Sequence, residues 1–152
     1  MSSISIPLQI TKGSLKRTES TPQAIDSALS LLMTTPCFSN AADPFYGFVF
    51  NNLRFEIFNE NEGVVYDSSG SSRHLGDRED LYAKRISGAS SNLDTFAASL
   101  KESIEMYEPR LSDVSVTMSY FREERKIHIE INGLIAGTET PYQYSTIINV
   151  WK

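Results

Sequence analysis

Two carboxylates and a guanidinium crowd one stretch of the chain, Glu105-Met106-Tyr107-Glu108-Pro109-Arg110. Paired acids are the equipment of glycoside hydrolysis, which needs two carboxyl groups roughly 5–10 Å apart across the bond, one with a raised pKa. Glu105 and Glu108 stand three apart and so are neighbours on a helix. Arg110 argues against that chemistry, because an adjacent guanidinium keeps a carboxyl ionised rather than poised as an acid. No aromatic-lined sugar cleft can be deduced, and structural ion pairs often mimic sites. His74 and His128 lack the spacing of a metal pair; His74 reads as a loop residue and His128 as an exposed strand residue. There is no nucleophile-elbow motif around any serine and no phosphate-binding glycine loop. The single cysteine, Cys37, excludes an internal disulfide and any multi-cysteine zinc site. The expectation is a protein with no catalytic residue, no metal and no cofactor.

The elements that must position this stretch can be read on both sides of it. Upstream, Leu93, Phe96, Ala97, Leu100, Ile104 and Tyr107 recur at steps of three and four, one apolar face of a helix over 92–108 capped by Asn92. Pro109 ends that helix, having no N–H to donate and disfavouring helical angles at the residue before it. Arg110 can reach back to Glu108 and to the last free carbonyls, so a plain stop signal is one reading of the stretch. Downstream the apolar period changes to two. Val114, Val116, Met118 and Tyr120 predict one strand, and Ile127, Ile129 and Ile131 a second that continues past Asn132-Gly133 to Ala136. Tyr142, Tyr144, Thr146, Ile148 and Val150 predict a third, after the turn Gly137-Thr138-Glu139-Thr140-Pro141. Ser20-Thr21-Pro22-Gln23 starts an earlier helix to Met33, with a hydroxyl cap, proline in the first turn and Gln23 as capping-box partner. Its apolar face is Ile25, Ala28, Leu29, Leu32 and Met33.

The fold expected is α+β, with helices packed on one face of a three- to four-stranded antiparallel sheet in the C-terminal half. At 152 residues the chain reads as a single domain, 1–152, able to bury about 70% of its unfolded surface. An arm, 1–19, precedes the first helix: Ile4, Ile6, Leu8 and Ile10 alternate like a strand, Pro7 confines it to an edge, and Thr11 to Glu19 reads as a basic linker. Phe45 to Phe58 fits a short helix or a hairpin turning at Asn51-Asn52, and helix is preferred. Residues 59–91, rich in Gly, Ser, Asn and Asp, read as an insertion holding a possible strand at Val64-Val65-Tyr66 and a short helix from Asp77 to Ile86. A net charge of −5 argues against non-specific nucleic-acid binding. No apolar run is long enough for a membrane span, and the first residues lack the features of a signal peptide, so a cytoplasmic location is expected.

Taken together, these motifs resemble a known family. A helix ending in an aromatic residue and Glu-Pro-Arg (Tyr107 to Arg110), then alternating strands, is similar to the baseplate wedge proteins of contractile tails. These are the phage tail-sheath initiators, or gene 25-like lysozymes, and the TssE component of type VI secretion. The capped helix ending in Thr34-Thr35 and the Pro-x-aromatic-Gly element Asp43-Pro44-Phe45-Tyr46-Gly47 belong to the same resemblance, which covers Ser20 to Phe58 and Ser91 to Asn149. The loop Cys37-Phe38-Ser39-Asn40 departs from the family's usual Gly-Glu, and Ile6-Pro7-Leu8 and Gly137-Thr138-Glu139 look most like TssE forms. The resemblance implies a non-enzymatic part of an injection machine. Glu108, Pro109 and Arg110 would dock TssF/TssG-like wedge proteins. The edge carrying Tyr142, Tyr144, Thr146, Ile148 and Val150 would accept strands from sheath subunits. No nucleic acid, membrane insertion or small-molecule substrate is implied. The location would be the cytoplasm, with the baseplate at the inner membrane face, or a virion tail. Alternatives are an anti-adaptor-type regulatory protein of the same fold and a cell-wall glycoside hydrolase. The last strand has no charge until Lys152 and no proline after Pro141, so its edge is either covered by the Ile4–Ile10 arm or kept for a partner. An exposed ion pair is worth about 0–1 kcal/mol, so Arg110→Ala is expected to leave the fold intact.

Overall fold

In a computed structural model of the chain, residues 3–4, 8–18, 20–48, 65–68, 93–121 and 123–149 are described. Helix α1 runs Thr21–Thr34. Ser20 has the extended angles of a cap and its carbonyl accepts from Ala24 N–H at 3.1 Å, but its hydroxyl makes no cap bond. The expected capping box is therefore absent; Pro22 removes one of the N–H groups such a hydroxyl would meet. At the other end Thr35 Oγ1 donates to the Leu31 carbonyl at 2.7 Å, closing the last turn before Pro36. Ala24, Ile25, Leu29, Leu32 and Met33 are buried, and Ala28 only half so.

Helix α2, Leu93–Tyr107, buries Phe96, Ala97, Leu100 and Ile104 as its spacing requires. The chain then turns through Glu108 to Arg110 and enters the sheet. The strands are β6 (Leu111–Phe121), β7 (Lys126–Ile135) and β8 (Thr140–Asn149). They pair antiparallel in sequence order, and β5, Val65–Asp67, adds antiparallel to β6 on the far side. The fourth strand thus comes from inside the stretch read as an insertion. Beyond it, Ser68 Oγ accepts the Val116 N–H at 2.9 Å. Val114, Val116, Met118 and Tyr120 of β6 and Ile127, Ile129 and Ile131 of β7 face the helices and form one core with them, so the α+β architecture is as the periodicities require.

Asn132-Gly133 is not a turn. It lies within β7, opposite a bulge where β6 shifts register between Ser112 and Ser115 and Asp113 takes φ 49°. A side chain at Gly133 would meet the Ser112 carbonyl at 3.0 Å, so glycine there lets the bulged strand come close.

The arm departs from expectation. The run Ile4–Ile10 is not one strand, and the stretch read as a linker contains strands. Ser3–Ile4 (β1) pairs with Arg17–Thr18 (β4), and Ile10–Thr11 (β2) pairs with Ser14–Leu15 (β3). A basic, polar composition hid the pairing because a short ribbon needs no buried face. The helix preferred from Phe45 does not begin there: Phe45 to Phe48 are turn and bend. Gly47 takes φ 123°, and a Cβ on it would lie 2.4 Å from the Thr35 carbonyl. Residues 49–58, the helix from Asp77 to Ile86, and Asn92 lie outside the described residues.

Candidate functional site

Pro109 stops α2 so that Glu108 hangs from its last turn, with its N–H still donating to Ile104 at 2.8 Å. Its carboxylate points inward and is 2% exposed. Arg110, 37% exposed at its side chain, folds back across the proline. Its Nε donates to Glu108 Oε1 at 2.6 Å and its Nη2 to Oε2 at 2.6 Å, while its own N–H donates to Oε1 at 3.2 Å. The grip is two-pronged and charge-assisted, the strong class of hydrogen bond. It raises the Arg110 guanidinium above its ordinary pKa, the Glu108 bond outweighing the opposing effect of burial. The expectation of an exposed pair of little structural worth is corrected here. Glu108 is buried, so Arg110 offsets a charge that would otherwise lie unpaired inside the protein.

The start of β8 carries a second buried polar side chain. Tyr142 is buried, and its hydroxyl donates to Asp26 Oδ1 of α1 at 2.5 Å. Burial, then the Asp26 bond and the nearby negative charges of Asp26 and Glu108, push its phenol far above the usual range. Pro109 is exposed. Tyr142 lies within electrostatic reach of Glu108. Tyr144, Thr146 and Ile148 follow on the same face of β8, half-buried; Val150 lies outside the described residues.

Among the described residues β8 is an edge, with β7 on one side and no strand on the other. The arm does not supply that strand. It pairs with itself, and β1 and β4 pack against α1.

A second junction was not read from the sequence. Tyr107 Oη donates to Asp43 Oδ1 at 2.9 Å, and its ring stands edge-on to Tyr46, 5.0 Å between centroids. Ser103 Oγ donates to the Gly47 carbonyl at 3.4 Å, and Phe48 N–H to the Thr35 carbonyl at 2.9 Å. The end of α1, the Asp43–Gly47 element and the end of α2 are therefore fastened together. Each had a sequence signal of its own, but none named its partner.

Glu105 is exposed and stands 3.9 Å from Lys101, whereas both Glu108 oxygens are held by Arg110. His128 is half-buried rather than exposed, its ring 4.5 Å from that of Phe121. It lies on the sheet face away from the helices, in a shallow groove of about 560 Å³ with Thr117, Ser119, Glu130, Ser145 and Ile147. Glu130 there accepts from Asn132 and Gln143. His74 is outside the described residues. Among those described, no three His, Cys, Asp or Glu side chains cluster as metal ligands would, and no helix is long and apolar enough to cross a membrane.

No protein-family model and no curated protein sequence matches the chain. Among solved structures, the chain is similar to a protein of Geobacter sulfurreducens given the provisional description of a tail lysozyme, solved at 1.44 Å resolution. The two share 17% sequence identity and superpose with a TM-score of 0.55, over 89% of this chain and 96% of that one. Two helices laid on an antiparallel sheet, joined through the Glu108–Arg110 turn, form a chain with the fold of that tail protein.

Proposed function

We propose that the chain is a non-enzymatic, structural component of the baseplate of a contractile, tail-like machine. The observation that carries this reading is the likeness, over nearly the full length of both chains, to a protein described as belonging to a tail. The finer reading is a TssE-like part that docks TssF/TssG-like wedge proteins through Glu108, Pro109 and Arg110. On this reading the edge of β8 receives strands from the first sheath subunits, and the machine works from the cytoplasm. Two features support it. Arg110 is pre-organised by a buried carboxylate yet keeps part of its side chain in solvent. The β8 edge carries no charged side chain from Thr140 to Asn149, the kind of edge that soluble proteins usually guard. Main-chain bonds along that edge would supply affinity, and alternate side chains specificity.

The word lysozyme in the neighbour's description motivates a hydrolytic second reading, which the Glu108 geometry disfavours. An acid catalyst must offer a carboxyl to the leaving oxygen, and both Glu108 oxygens are occupied. The test is co-purification of the tagged chain from its native host. Recovery of wedge and sheath proteins is the expected result. Recovery of a protease adaptor instead, or cell-wall hydrolysis lost on Glu108→Gln, would sink the reading.

A further inference from the structure

The arm carries the two most exposed large apolar side chains among the described residues, Leu8 and Ile10, and Leu15 is exposed with them. Leu8 is 68% exposed, Ile10 76% and Leu15 44%. Ile10 and Leu15 are direct cross-strand partners, and Leu8 stands two residues before Ile10. The ribbon that presents them is defined: Lys12 and Gly13 both take positive φ, 51° and 78°, the requirement of a two-residue type I′ hairpin turn. Lys16 N–H donates to the Gln9 carbonyl at 2.7 Å, continuing the ladder below the turn. An isolated two-stranded ribbon is only marginally stable in water, and baring three aliphatic side chains on it is unfavourable.

Charge selects what covers them. Residues 8–18 contain Lys12, Lys16 and Arg17 and no acid, in a chain of net charge −5, so the arm opposes the sign of the rest of the protein. Face-to-face pairing of two arms would bring like charges together. Three cations are also fewer than the clusters that hold proteins to anionic lipid. An apolar centre with a cationic rim instead matches a protein surface with an apolar cleft and a carboxylate rim.

We infer that the arm is a docking element separate from Glu108 and Arg110, which seats Leu8, Ile10 and Leu15 in an apolar cleft rimmed by acidic side chains on a protein partner. Its test rests on the baseplate reading, because the probe is the purified wedge complex of the same host. Binding of the full chain is measured by titration at low and high salt, alongside Ile10→Ser, Leu15→Ser and the pair Lys12→Glu with Lys16→Glu. Unchanged circular dichroism and melting of the variants confirm that the body still folds. The expected result is a loss of about tenfold or more for each serine variant and for the charge reversal, with unmodified binding weakening in salt. Variants that bind like the unmodified chain overturn the inference and leave the baseplate reading standing. So does sedimentation showing that the arm instead joins two copies, or arm-dependent binding to anionic vesicles. An unmodified chain that does not bind the complex sinks the baseplate reading and the inference together.

Discussion

Replacing Arg110 by alanine removes both side-chain bonds to Glu108 and leaves that carboxylate 2% exposed with one main-chain donor, Arg110 N–H at 3.2 Å. Breaking a fully buried ion pair by removing one partner costs about 3–5 kcal/mol. Arg110 is 37% exposed, so water screens part of the interaction and the smaller cost of an unsatisfied buried acceptor applies, about 1–3 kcal/mol. At 2 kcal/mol the expected loss is about 4–8 °C in melting temperature. The corresponding shift in urea midpoint is about 1 M. Urea unfolding followed by circular dichroism reads this directly. A folded but weakened Arg110→Ala that also loses wedge binding would confuse stability with docking, so a second variant separates them. Replacing the pair together, Glu108→Leu with Arg110→Met, removes the buried charge along with its partner and is expected to recover most of the stability. Docking is expected to stay lost in that double variant. An Arg110→Ala protein that unfolds within about 0.5 kcal/mol of the unmodified one would refute the claim that this pair secures the helix-to-sheet junction. A double variant that still binds the wedge complex would refute the docking role.

Tyr142→Phe is expected to cost about 0.5–1.5 kcal/mol through the lost bond to Asp26. The raised phenol pKa means that folding favours the neutral form, so its contribution is intact below about pH 10. That contribution is lost as pH rises above the unfolded value, so alkaline unfolding followed against pH should be shallower in the phenylalanine variant. Gly47→Ala combines a positive φ with a Cβ 2.4 Å from the Thr35 carbonyl, and is expected to destabilise by about 2–4 kcal/mol in thermal melts. Thr146→Pro is expected to block sheath polymerisation in a reconstituted assay while wedge binding survives. A folded variant that initiates sheath normally would exclude strand addition at β8.

Local chemistry wrote much of this fold into the sequence. The apolar face from Ile25 to Met33 specified the first helix, and the change of apolar period from 3.6 to 2 across Pro109 the second helix and three sequential strands, because side-chain direction within an element depends only on its own backbone geometry. Thr34-Thr35-Pro36 marked the end of α1 because proline has no N–H and disfavours helical angles at the residue before it, and Glu-Pro-Arg stood out as a short-range charged turn. The tertiary structure alone decided what those features touch. Glu108 looked like a surface acid at a helix end, but it is buried where the helix and sheet converge, so the value of its bond to Arg110 changed class. Tyr142 and Asp26 stand 116 residues apart, and Tyr107 and Asp43 stand 64 apart. The arm's alternating aliphatics suggested a cover for the sheet edge, yet its described strands pair with each other rather than with β8. Periodicity tells which residues share a face; what that face meets is settled by elements brought together from distant parts of the chain, whose contacts no local pattern encodes.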